Sequence, residues 1–275
     1  MKLKLIILVI LLVLILIFNV GCQEETLPNH EKLSASELLS RTIEATTKAN
    51  SYAFEMETEQ DLYIADMEGM TIKNLTTGKM INEPLSAKLT MSTSMPGVDM
   101  EIDIYLINGI SYSSFPGIGW VQQDISANNQ WKDSLNDPYA YTTMLEIVEN
   151  ENIDVVQQAD HYLLTYDDSD GKLADIVEDN IKKQLANSIL DDYFIDQYLK
   201  EIDTSRLLYV MKIDKETFLP LENSINVEIE IDLGEDKIYI VQKTNIKYLE
   251  FETFEFIEVP EYVINEAVEL PDLRS

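Results

Sequence analysis

GKLADIVEDNIKKQLANSILDDYFIDQYLKE, residues 171–201, is the longest uninterrupted helical pattern downstream of the N-terminal apolar run. Leu173, Ile176, Val177, Ile181, Leu185, Ile189, Tyr193 and Phe194 recur at three and four and form one stripe, with Glu178, Asp179, Lys182, Lys183, Asp191 and Asp192 lying away from it. A helix with one apolar face has to bury that face. Because the chain on either side alternates with the period of a strand, the stretch predicts an α+β domain, with one antiparallel sheet laid against this helix.

Downstream, strands are expected at residues 207–213, 224–233 and 237 to about 257. Ile225, Val227, Ile229, Ile231 and Leu233 alternate without error against Asn226, Glu228, Glu230 and Asp232, so one face reads as apolar and the other as acidic. The phase slips near Thr253 and Phe254, which predicts a bulge that bends the last strand. Upstream, short strands are expected near 153–158 and 161–167. Before them, Asp137-Pro138 caps a helix to about Glu149 that would bury Tyr141, Met144, Leu145 and Val148, following a loop at 131–137.

Earlier still, Ser34-x-x-Glu37 is a capping-box pattern that opens a helix over 34–50. From Ser51 the period becomes two: Phe54, Met56, Leu62 and Ile64 face one way and Glu55, Glu57, Glu59 and Asp61 the other. Val98, Met100, Ile102, Ile104 and Leu106 repeat the pattern, and Asn108-Gly109 joins them to Ile110–Phe115 as a two-residue hairpin. Pro116, Gly117 and Gly119 make the next turn, with weaker strands near 70–82 and 85–95.

At the N-terminus, Lys2 and Lys4 precede an apolar run over 5–18 that ends at Gly21-Cys22. The run has signal-peptide length and is short for a transmembrane span. Gly21-Cys22 resembles the bacterial lipobox, which implies diacylglyceryl transfer to Cys22, cleavage before it and a protein held on the extracytoplasmic face of the cell membrane. Residues 1–21 are then a signal peptide, 22–33 an acylated cysteine with a polar tether and 34–275 one domain. Cys22 is the only cysteine, so no disulfide or zinc–cysteine site can form within the chain. A net charge of −30 argues against nucleic acid or an anionic lipid surface as a direct partner, and a monomer is expected.

Catalytic chemistry has little to stand on. The two histidines, His30 in the tether and His161 on a short strand, fit no nucleophile or metal pattern, and with 50 acidic residues chance pairings are everywhere. Asp167-Asp168-Ser169-Asp170-Gly171 suggests a calcium loop. The EF-hand spacing fails at both ends, where Tyr166 and Val177 stand in place of the required acids. No metal, cofactor or enzymatic activity is expected.

Seven of the ten methionines, Met56, Met67, Met70, Met80, Met91, Met95 and Met100, fall within residues 56–100. A flexible, polarizable side chain suits a core or a surface that adapts to apolar ligands. Taken with the helix before Ser51-Tyr52-x-Phe54-Glu55, the strands around Tyr105 and Tyr112 with Trp120 beyond, and Met211-Lys212-Ile213-Asp214-Lys215-Glu216-Thr217-x-Leu219-Pro220-Leu221, the chain resembles LolA/LppX-like lipoproteins. It is similar in particular to uncharacterised lipoproteins of Gram-positive, Bacillus-type bacteria.

The resemblance implies an incomplete antiparallel β-barrel wrapped around packed helices, with an apolar cavity for an acyl chain or another apolar ligand. Candidate cavity residues are Phe54 and Met56, then Met91, then Met100, Ile102 and Ile104, and after the long helix Met211, Val227, Ile229 and Ile231. A second reading is a structural or regulatory cell-envelope interaction protein with a closed core and no ligand.

Overall fold

Long period-two runs become long strands. The computed structural model describes residues 33–64, 69–125, 153–168, 201–232 and 237–269. Six strands follow one another as a meander: β1 (Ser51–Ile64), β2 (Met70–Ile81), β3 (Ser86–Met95), β4 (Val98–Ile107), β5 (Ile110–Phe115) and β6 (Gly119–Asp124). A second meander contains β7 (Asp154–Gln157), β8 (His161–Asp168), β9 (Glu201–Asp214), β10 (Pro220–Asp232) and β11 (Lys237–Phe251). A short helix α2 (Glu261–Glu266) and the two-residue strand β12 (Val268–Glu269) follow, and helix α1 (Ala35–Lys48) precedes β1.

All twelve strands form one sheet in the order β12-β6-β5-β4-β3-β2-β1-β11-β10-β9-β8-β7. The two meanders join where β1 pairs antiparallel with β11, and β12 alone runs parallel, beside β6. The sheet ends at the four-residue β7 and at β12, and among the described residues its edges do not meet.

The expected α+β barrel wrapped around packed helices is therefore corrected to a β-rich open sheet, with two helices among the described residues. Strands of 14, 12, 14, 13 and 15 residues in β1, β2, β9, β10 and β11 make the sheet itself the dominant layer. The predicted helices at 138–149 and 171–200 lie outside the described residues, as do Cys22 and the tether to residue 32. Glu201, expected to close the long helix, instead opens β9 and pairs with Asp232.

Helix α1 forms as its sequence predicts. Ser34 Oγ accepts the Glu37 N–H at 3.2 Å, Glu37 pairs with Arg41 at 2.6 Å, and Leu38 and Leu39 are fully buried on one stripe. Those leucines join the largest core cluster, with Leu62, Leu164, Met211, Ile229 and Ile240 from the sheet. The Asn108-Gly109 hairpin has positive φ at both residues, 53° and 77°, as a type I′ turn requires. The expected bulge near Thr253 is displaced. The register skips Leu249, between the pairs Ala53–Glu250 and Phe54–Tyr248, and the strand ends at Phe251 before Glu252 with φ 57°.

Candidate functional site

Strand register assigns the face of the sheet that carries α1, here the inner face, as a stack of cross-strand layers. Ile229, Ile240, Leu62 and Met70 form one layer, and Ile231, Ile238 and Ile64 the next towards the end of β1. These residues, except partly buried Met70, are 8% exposed or less and belong to the cluster under α1. In the other direction the layers read Asn223, Ile246, Met56, Thr76, Met91 and Ile102, and then Tyr248, Phe54, Gly78, Leu89 and Ile104.

Between these apolar halves runs a neutral polar belt. Thr244, Thr58, Asn74 and Thr93 occupy one layer across β11, β1, β2 and β3, with Gln242 and Gln60 in the adjacent one. Thr58 and Thr244 hydroxyls lie 3.1 Å apart, Thr93 Oγ1 donates to Asn74 Oδ1 at 2.6 Å, and Gln60 Nε2 donates to Gln242 Oε1 at 3.3 Å. Gln60 Oε1, Asn74 Nδ2, Thr76 Oγ1 and Asn223 Oδ1 are buried without a hydrogen-bond partner among the described residues. Each such group costs about 1–3 kcal/mol, so four of them around one surface mark it as unusual for a closed core.

The residues assigned from the sequence divide by strand rather than across this belt, since Met211 shares the layer of Asn223, Ile246 and Met56, and Val227 that of Gln242 and Gln60. Met211, Val227, Ile229 and Ile231, at 0–6% exposure, are closed core packed under α1. Met56 is buried with Ile246, and Phe54 and Met91 pack against that pair while remaining partly exposed. Met100, Ile102 and Ile104 continue the inner face on β4, also partly exposed. A Cβ at Gly78 would lie 2.4 Å from the Phe54 ring, so glycine lets that ring cross β2 beside Leu89. The inner face is thus more open on β3 and β4 and beside Phe54, while Leu62, Ile64 and Ile72 of β1 and β2 stay closed under α1. Sequence reasoning missed the belt, although Thr58, Gln60, Gln242 and Thr244 hold core-facing positions in strict alternation.

The opposite face carries an open groove of about 800 Å³ between Lys243 on β11 and Asp99 and Glu101 on β4. Of the ten assigned residues only Met100 borders it. The expectation of an acidic face is modified here, because columns of lysine alternate with acids: Lys73 pairs with Glu59 at 2.6 Å and Lys247 approaches Glu55 at 3.8 Å. Ser94 and Thr90 hydroxyls donate to Asp99 and Asp103, each at 2.6 Å.

Among the described residues, no group of three or more His, Cys, Asp or Glu is placed to hold a metal ion, and no helix is long and apolar enough to cross a membrane. Asp167 and Asp168 lie on β8 rather than in a loop, and alternation sends them to opposite faces. Asp167 lies 3.9 Å from Arg206, while Asp168 is 2% exposed. His161 Nδ1 lies 2.7 Å from Asp160 Oδ1, and that hydrogen bond holds the Asp160 carboxyl below the usual carboxylate range.

Residues 34–268 match a family described as a family of unknown function, DUF6612, and the chain belongs to it. No curated protein matches the chain. Among solved structures it is similar to a DUF1329 family protein from Desulfovibrio piger, at 10% identity over 80% of this chain and 93% of that one, with a TM-score of 0.26. It is also similar to a beta-barrel-like protein of the domain of unknown function DUF1849 from Brucella abortus, at 6% identity over 72% and 98%, with a TM-score of 0.25. A LolA superfamily protein from Nitrosomonas europaea is similar at 8% identity over 84% and 97%, with a TM-score of 0.24. Likenesses this distant leave ligand and partner open.

Proposed function

We propose that this family member is a membrane-anchored extracytoplasmic lipoprotein that binds an acyl chain or another apolar molecule on the inner face of β3 and β4, beside Phe54. One observation supports the binding role: Phe54, Met91, Met100, Ile102 and Ile104 stay partly exposed there, while the facing half of the same sheet is closed under α1. A purely structural core would bury both halves alike. Flexible methionines beside fixed isoleucines suit chains of differing shape. The role is binding rather than catalysis, and it requires no cofactor.

Native mass spectrometry of the detergent-extracted full-length chain tests this reading, with extractable lipid as the expected companion. Met100→Trp fills the open half and lowers uptake of a fluorescent fatty acid several-fold, while the thermal midpoint moves little because the site is only partly buried. A wild-type chain that takes up no acyl probe supports the interaction-protein reading instead. Attachment through Cys22 is tested separately: Cys22→Ser abolishes palmitate labelling and leaves the signal uncleaved, whereas labelling that persists overturns the lipobox.

A further inference from the structure

We propose that the turn between β5 and β6 is a membrane-docking tip that seats the domain on an uncharged lipid interface. Residues 104–123, IYLINGISYSSFPGIGWVQQ, form the longest stretch without a charged side chain after the N-terminal apolar run, in a chain that is 25% charged. Ile118 at its tip is 74% exposed and Phe115 37%. Gly117 and Gly119, at φ 79° and 91°, have nothing within 4 Å of an added Cβ, so the turn stands clear of the body.

The apolar surface extends onto the C-terminal segment. Trp120 and Tyr262 meet edge to face at 6.4 Å, and Tyr262, Ile264 and Val268 are 53%, 48% and 66% exposed. Val268 lies beside Val121 in register, and Val263 is fully buried against Tyr105 and Tyr112, so α2 and β12 are fixed to the hairpin. Aliphatic and Phe side chains at the tip with Trp and Tyr set behind follow the order of a bilayer interface, where amphipathic rings sit at headgroup level.

Charge and size select this occupant over a protein. The chain's net charge of −30 would be repelled by an anionic surface, and its longest acid-free stretch after the N-terminal apolar run is the one that projects. Six side chains fall well short of the roughly 800 Å² per partner that a stable protein interface buries. Such a tip binds weakly alone and becomes effective when the chain is already held at the bilayer. The inference rests on the membrane attachment proposed above, and is independent of the apolar-ligand site.

The test uses the full-length chain in phosphatidylcholine vesicles whose acyl chains carry bromine, with Trp131→Phe so that Trp120 is the sole tryptophan. Trp120 emission is expected to shift to the blue and to lose most of its intensity to bromine. Adding Phe115→Ser and Ile118→Asp restores the emission without displacing the chain from floated vesicles. Leu249→Asp, at a 58% exposed site outside the tip, leaves the quenching intact. A chain that floats with unquenched Trp120, or one quenched equally after the tip changes, overturns the docking tip alone. A chain that does not float overturns the attachment and the tip together. Emission that shifts with protein concentration in detergent assigns the patch to a second copy and also overturns the proposal.

Discussion

At Asp214 a single carboxylate organises the turn between β9 and β10. Oδ1 accepts the Glu216 N–H at 3.0 Å, the Thr217 N–H at 2.7 Å and the Thr217 hydroxyl at 2.8 Å. Phe218 then takes a positive φ of 59°, stacks on Tyr162 at 6.1 Å and lies under Arg41 at 5.1 Å. The Asp214-Lys215-Glu216-Thr217 motif, which in the sequence carried part of a family resemblance, is here a structural clasp between the sheet and α1. Partial burial pushes the Asp214 carboxyl up, but the bonds from Thr217 and Glu216 outweigh it and hold it below its ordinary value. The ionised form therefore favours folding. Its contribution is present above the unfolded value of about 3.9 and is lost as pH falls through the lower folded value. Asp214→Ala should cost about 1–2 kcal/mol in urea unfolding at pH 7, and the deficit should shrink as pH falls through the lowered folded value. A deficit independent of pH would mean that the carboxylate charge plays no part.

At the scale of elements, the strands were legible because alternation leaves a direct mark. Asn108-Gly109 and the Ser34 cap also appear where their chemistry placed them, since each acts through its nearest neighbours. The belt was less legible because it exists only across strands: Thr58 and Thr244 look like weak points of β1 and β11 until register sets them 3.1 Å apart. The division of the assigned residues into closed and open halves was invisible for a related reason. Ile229 and Ile102 have the same local pattern, and only the position of α1 buries one and leaves the other accessible. The belt yields a prediction on β2. Thr76 is 3% exposed and its hydroxyl has no partner among the described residues, so isosteric Thr76→Val should raise stability by about 1 kcal/mol at unchanged urea slope. A loss of stability would show that water or a guest satisfies that hydroxyl.

For the whole molecule, the dominant helical pattern in the sequence led to a two-layer picture, whereas the described residues form one very large sheet. Its middle is the pairing of β1 with β11, where Thr58 meets Thr244 across 186 positions of chain. That seam dictates an order of events in time. During synthesis β1 can pair at once with β2, but its other margin stays unsatisfied until almost the last strand has emerged, and loop-closure entropy makes that encounter slow. Pulse-labelled hydrogen exchange during refolding should protect the β2–β4 amides before those shared by β1 and β11, with the seam closing in roughly milliseconds to seconds. Simultaneous protection would refute the sequence of steps. A nascent or truncated chain ending at residue 232 would carry the finished first meander with an open flank 14 residues long, a template for self-association. Proofreading of this fold is therefore deferred to its final strand, and anything that stalls the chain short of β11 exposes the most adhesive intermediate it can make.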